Sequence, residues 1–164
     1  MIDLEGIEDN MSYNPETGLF HHLKNTGGVA KGSIAGGLDP LGYIQLWYKG
    51  KRYRGHRLAF WYMCGISPKD DVDHINGVRE DNRWSNLREA TRSENMRNMG
   101  HRGGSSEYKG VSKGGNRWLA RIRLKDLGEK YLGSFTCEKE AALSYNYAAL
   151  EHFGSFARLN QVFE

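Results

Sequence analysis

A chain of 164 residues has room for one medium domain or two small ones, and a hydrophobic share of 38% is low for a single well-buried core. Charged residues make up 26% and mean hydropathy is −0.69, and no apolar run approaches the ~18 residues that would cross a bilayer. The acidic N-terminus has no apolar signal core, so the expected compartment is the cytoplasm and no membrane partner is expected. Cys64 and Cys137 form no CxxC pair, which argues against a zinc site built from cysteine; both are expected as small buried hydrophobes in a reducing compartment.

In chain order, residues 1–40 carry six acids and two bases. Turn signals follow at Asn14-Pro15 and Thr17-Gly18. The neighbouring His21 and His22 have no partners at ligand spacing and are expected to be exposed. Residues 42–48 alternate and lead through Lys49-Gly50 into a basic run, which predicts a β-hairpin. Residues 56–63 are apolar and fit a helix ending at Gly65, with Pro68 just beyond. Residues 72–75 are too short to assign by period. Asn76-Gly77 marks a turn, residues 81–87 read as one helical turn or a loop, and residues 93–99 as a short helix capped by Ser93. The Gly/Ser-rich stretch 101–107 is expected to be a linker between a domain at 1–100 and another at 108–164. In the second, residues 108–111, 118–123 and 131–135 predict three strands, followed by a helix over 136–152 with Thr136 near its cap and a small-residue stripe.

Charge is concentrated rather than spread. Residues 48–58 carry five bases and no acid, and residues 108–125 carry six bases and no acid. Both runs are interleaved with aromatics, which suits contact with a phosphate backbone. Arg52 and Arg54 stand in the first run and Arg121 and Arg123 in the second.

Between them lies a group of residues with the parts needed for phosphodiester hydrolysis. An imidazole titrating near neutrality suits a general base, and one carboxylate with one amide oxygen is enough protein for a hydrated Mg²⁺. His74 can be the base, Asp73 and an asparagine the ligands, and another asparagine can accept a proton from His74 Nδ1 and fix its tautomer. Adjacent residues in a regular strand point to opposite faces, so Asp73 and His74 share a site only where the strand ends or bends.

The motifs His56-Arg57-Leu58, Asp73-His74-Ile75-Asn76-Gly77, Asp81-Asn82-Arg83, Asn86-Leu87-Arg88 and Ser93-Glu94-Asn95 resemble the HNH nucleases with a ββα-metal active site, in the subgroup of phage homing endonucleases. The resemblance covers residues 43–98. It implies a metal-dependent DNA endonuclease: Asp73 and Asn95 bind one divalent ion (Mg or Mn), His74 activates water, and Asn86 orients His74. It implies local loop hydrogen bonds for Asn82, and leaves His56 as a structural residue or a phosphate contact. Residues 13–57 resemble the β-rich extension that precedes this core.

Residues 108–160, with Tyr108-Lys109-Gly110-Val111, Trp118-Leu119-Ala120-Arg121-Ile122-Arg123, Tyr131-Leu132-Gly133-Ser134-Phe135 and Ala157-Arg158-Leu159-Asn160, resemble the APETALA/ethylene-response-factor DNA-binding domain. That implies a three-stranded antiparallel sheet packed on one helix, with Lys109, Ser112, Arg117, Trp118, Arg121, Arg123 and Tyr131 towards double-stranded DNA. Ser112, Glu129, Arg121 and Tyr131 depart from the plant pattern, so the plant target sequence is not implied. The expected class is therefore α+β: a β-rich extension with an HNH core, then the small sheet and helix. The alternatives are a catalytically inactive DNA-binding regulator and an RNA-directed protein. A monomer with one site would nick, and a double-strand cut would need a dimer or two events.

Overall fold

The computed structural model describes residues 4–101 and 103–163 as an α+β protein built in two compact units, residues 1–91 and 92–164. The boundary precedes the predicted linker. Residues 105 and 106 are tied down: Ser106 Oγ donates to Glu138 Oε1 at 2.6 Å, and Ser105 Oγ accepts from Lys113 N. Two serines of the 101–107 stretch thus bond to residues of the second unit.

In the first unit, β1 (Met11–Tyr13), β2 (Phe20–His22) and β3 (Ile34–Ala35) form one antiparallel sheet. A second antiparallel sheet contains β4 (Gly37–Leu38), β5 (Ile44–Tyr48) and β6 (Lys51–Arg54). The predicted hairpin is β5–β6, and both turn residues, Lys49 and Gly50, have positive φ, as a two-residue hairpin turn requires. Helix α1 (Gly55–Cys64) follows directly and stops at Gly65, whose left-handed φ of 69° lets its N–H reach Trp61 O. Leu58 and Ala59 of α1 join Phe20, Leu46, Val72 and Leu87 in one apolar core. Strands β7 (Asp71–His74) and β8 (Leu87–Ala90) pair antiparallel, joined through a 3-10 turn at Trp84–Asn86. His21 and His22 are half-buried on β2 rather than exposed.

The second unit begins with α2 (Arg92–Asn98), which places Ser93 inside the helix rather than at its cap. Strands β9 (Val111–Gly114), β10 (Arg117–Leu124) and β11 (Gly128–Phe135) form an antiparallel sheet in the order β11–β10–β9. The first strand starts at the end of its predicted span, because Gly110 lies with φ of 76° against the Tyr145 ring. Helix α3 (Glu138–Phe153) is capped at Cys137 without a side-chain bond, so Thr136 does not serve. Its stripe of Ala141, Ala142, Tyr145, Ala148 and Ala149 is buried. The stripe packs under Val111, Ala120, Ile122 and Leu124, the small side chains letting helix and sheet come close. Both cysteines are free and exposed, against the expectation of burial. Among the described residues no helix is long and apolar enough to cross a membrane.

Candidate active site and nucleic-acid interface

Strand β7 ends at His74, and its last two side chains find different partners. Asp73 faces Arg88 directly across the β7–β8 ladder, and Asp73 Oδ2 accepts from Arg88 Nε at 2.9 Å and from Nη2 at 2.7 Å. His74 turns towards Asn82, with His74 Nε2 and Asn82 Oδ1 3.1 Å apart. Asp73, His74 and Asn82 retain 6%, 5% and 1% of their surface. An amide oxygen only accepts, so this contact puts the imidazole proton on Nε2 and the lone pair on Nδ1.

Asn82 is held from several sides. Its carbonyl accepts from Tyr13 Oη at 2.7 Å. A Cβ on Gly18 would come within 2.5 Å of the Asn82 carbonyl carbon, and one on Gly55 within 2.8 Å of Asn82 Nδ2. Gly18 and Gly55 are thus the spaces into which the Asn82 backbone and amide fit. Asn86, by contrast, organises the loop: its Oδ1 accepts from Asn76 N at 2.9 Å, and its Nδ2 donates to Asp81 O at 2.8 Å. Asp81 is clasped by Arg83, whose hydrogen bond is the main cause holding its carboxyl down at about 2. The asparagine at hydrogen-bond distance from His74 Nε2 is Asn82, while Asn86 bonds to the backbone of Asn76 and Asp81.

His56, at the start of α1, is a structural neighbour of this pair. Its ring stands edge-on to His74 with centroids 5.0 Å apart, and 5.3 Å from Tyr43. Burial, then the charges on His74, Arg54 and Arg57, push its pKa down to about 3, so the ring is neutral. Burial also lowers the pKa of His74, opposed by the Asn82 hydrogen bond and by Asp73 and Asp81. A neutral imidazole at ordinary pH is the form a proton acceptor needs.

Among the described residues no three His, Cys, Asp or Glu side chains converge as a metal cage. What the first unit offers a metal is one buried carboxylate, Asp73. That donor set suits a hard ion that keeps most of its water shell, and does not suit zinc, which takes three or four protein ligands. Asn95 lies on α2 in the second unit.

On the sheet of the second unit, alternation puts Arg121 and Arg123 outward, while Ala120, Ile122 and Leu124 between them are buried. Exposed Tyr131 stands opposite Arg121. Arg117 is outward too, with its guanidinium bonded to Ser134 Oγ and O at 2.7 Å each. Two expected contacts lie elsewhere. Trp118 packs inward beside Val111, Ala120 and Phe135. Lys109 Nζ donates to Arg97 O at 2.5 Å and Met99 O at 2.6 Å, closing the end of α2. In the first unit, exposed Arg52 lies over Trp47, 5.4 Å from its ring centroid. Arg54 stacks on Tyr43 at 4.4 Å and pairs by distance with Asp39 at 2.6 Å, so part of its charge is already met.

An HNH endonuclease family model matches residues 53–97, the span from β6 through α2. The chain is 33% identical over 129 residues to an uncharacterised HNH endonuclease of Acanthamoeba polyphaga mimivirus, covering 71% of this chain and 67% of that protein. The chain belongs to the HNH endonuclease family. It is also 41% identical over 63 residues to a dehydration-responsive element-binding protein of Arabidopsis thaliana, which is 37% of this chain and 18% of that protein. The chain thus spans about a fifth of the plant proteins it matches. A solved structure described as DNA binding and cleavage by the HNH homing endonuclease I-HmuI matches with a TM-score of 0.46 and 25% identity, over 59% of this chain and 55% of that one.

Proposed function

We propose that the protein is a metal-dependent DNA endonuclease of the homing type, with His74 as its general base. The observation that carries this reading is the buried pair of His74, on the strand next to Asp73, and Asn82, in the loop that follows. Asn82, locked by Tyr13, Gly18 and Gly55, holds the imidazole in one tautomer, and His74 takes the proton of the water that attacks phosphorus. Asn82 is the positioning residue in this reading and Asn86 keeps the loop in shape. Asp73 is the carboxylate ligand for one divalent ion, Mg or Mn; when bound, it would stabilise charge on the phosphorane and the departing oxygen. The second unit binds double-stranded DNA, as an ethylene-response-factor-like module, through Arg117, Arg121, Arg123 and Tyr131, and Arg52 adds a phosphate contact from the first unit. The protein acts in the cytoplasm, and the mimivirus relative supports a viral source, with phage the expected one.

The test is conversion of supercoiled plasmid to nicked circles with Mg²⁺, with Mn²⁺ and with EDTA. Nicking that requires the ion supports the proposal. A protein that binds the plasmid and leaves it intact with either ion would be a DNA-binding regulator instead.

A further inference from the structure

Arg79 follows the turn at Asn76-Gly77 that leads out of β7, where Asn76 Oδ1 accepts from Val78 N at 2.8 Å. Its side chain is exposed, yet it is held at two points. Nη1 donates to Leu41 O at 2.7 Å, and the guanidinium carbon lies 5.0 Å from the centroid of the Tyr43 ring. Both holds come from one tightly bonded turn. Asp39 Oδ1 accepts from Leu41 N and Tyr43 N at 2.9 Å each, and Asp39 N donates to Tyr43 O at 2.8 Å. The same Tyr43 ring stands 6.1 Å from the His74 ring, and the charge of Arg79 is felt at that imidazole.

The arginines of the first unit differ in what they already hold. Arg54 stands against Asp39, Arg83 against Asp81 and Arg88 against Asp73. Arg57 donates to the backbone carbonyls of Asp70 and Pro68. Arg79 pairs with no carboxylate among the described residues, and its bond to Leu41 O leaves most of its N–H donors open. Fixing a long exposed side chain costs conformational entropy, and a guanidinium fixed beforehand has less to lose when an anion arrives.

We propose that Arg79 is a catalytic residue that binds a non-bridging oxygen of the scissile phosphate. The assignment rests on the nuclease reading with His74 as general base. As His74 takes a proton from water, the water oxygen bonds to phosphorus. The bond to the departing sugar oxygen then breaks, and that oxygen leaves with the electron pair and gains a proton from solvent. Negative charge rises on the non-bridging oxygens between these events. A guanidinium already in place meets that charge with charge-assisted N–H bonds and without reorganising.

The experiment compares the unaltered chain with Arg79→Ala and Arg79→Lys. It reads single-turnover nicking of supercoiled plasmid with Mg²⁺ or Mn²⁺, and DNA affinity across a salt series in EDTA. Arg79→Ala should lower the rate about 10²- to 10³-fold, as loss of one donor to a developing oxyanion does. It should also flatten the log–log salt slope by about 0.9, one phosphate contact. The thermal midpoint should not move, because the side chain is exposed. Arg79→Lys keeps the charge and loses the planar fork, so it should keep the salt slope and recover only part of the rate. Guanidinium chloride far below denaturing concentration should raise the rate of Arg79→Ala, where sodium chloride at equal ionic strength does not. A rate loss that comes with a lowered thermal midpoint, or that guanidinium leaves unrepaired, overturns the assignment. A flattened slope at an unchanged rate overturns it too, and moves Arg79 to a neighbouring phosphate. If the unaltered chain nicks with neither ion, the nuclease reading fails and the assignment with it. If both it and Arg79→Ala nick equally, only the assignment falls.

Discussion

His74 Nε2 lies 3.1 Å from the side-chain oxygen of Asn82, a residue that is itself sealed from solvent. The contact fixes the tautomer of the imidazole through a residue that no substrate needs to touch. Asn82→Ala should therefore cut the cleavage rate about 10- to 100-fold, in the range seen when groups that orient a catalytic ligand are lost. DNA affinity should stay within about twofold, since the change reaches no phosphate-binding group. Single-turnover cleavage and equilibrium binding on the same oligonucleotide check this, and Asn82→Ala that cuts normally would return the orienting role to Asn86.

Gly55 is where α1 passes the Asn82 amide. A Cβ there would stand 2.8 Å from Asn82 Nδ2 and 3.2 Å from Ile44 Cβ, and Asn82 is fully buried. Gly55→Ala should destabilise the protein by about 1–3 kcal/mol, as overpacking does, and should lower cleavage along with it. Urea unfolding reads the first effect. A stable, fully active Gly55→Ala protein would mean that Asn82 does not need its position.

His56 makes the fold sensitive to acid. Its folded pKa is depressed from an ordinary 6.5 to about 3, so the unfolded chain binds the proton first as pH falls. Stability is fully present above pH 6.5 and declines from there towards pH 3, by about 1.4 kcal/mol per pH unit for this one group. Between pH 6.5 and 5 that amounts to about 2 kcal/mol. Urea titrations at the two pH values should show the loss, and His56→Asn should flatten the slope. An identical slope in the variant would place the acid sensitivity elsewhere.

Much of this architecture was legible in the chain. The Lys49-Gly50 hairpin, the stop at Gly65 and the alanine stripe of α3 follow from local rules, because turn chemistry and small-residue spacing act over a few residues. The Asp73-His74 centre was legible through its motif. The contact of His74 with Asn82 was not, since Tyr13, Gly18 and Gly55 hold Asn82 in place and all are distant in sequence. Strand β8 was hidden too: Leu-Arg-Glu-Ala has little strand preference and is extended because β7 pairs with it. Lys109 read as a phosphate contact because nothing local shows that its ammonium closes the end of α2.

Asp73 and Arg88 form a largely buried ion pair, at 2.7 Å. Removing the cation leaves a carboxylate in a poorly solvated place, so Arg88→Met should cost about 3–5 kcal/mol of stability. A divalent ion that binds Asp73 should return part of that loss. Denaturation of Arg88→Met with and without Mg²⁺ measures both, and an indifferent variant would show the pair to be effectively solvated.

The outward face of β10 carries the expected DNA contacts. Arg121→Ala and Arg123→Ala should each weaken binding and reduce the steepness of its salt dependence by about 0.9 in log–log slope, one phosphate contact apiece. Lys109→Met should leave that slope unchanged. Fluorescence anisotropy across a salt series tests this, and a slope that responds to Lys109 but not to the arginines would reverse the assignment.

The most direct measurement is His74→Ala, assayed for cleavage and for DNA affinity in one preparation. Loss of the general base should lower the single-turnover rate by about 10²- to 10⁴-fold while Kd stays within about twofold. Cleavage at the original rate, or binding that collapses together with cleavage, would contradict the role of His74.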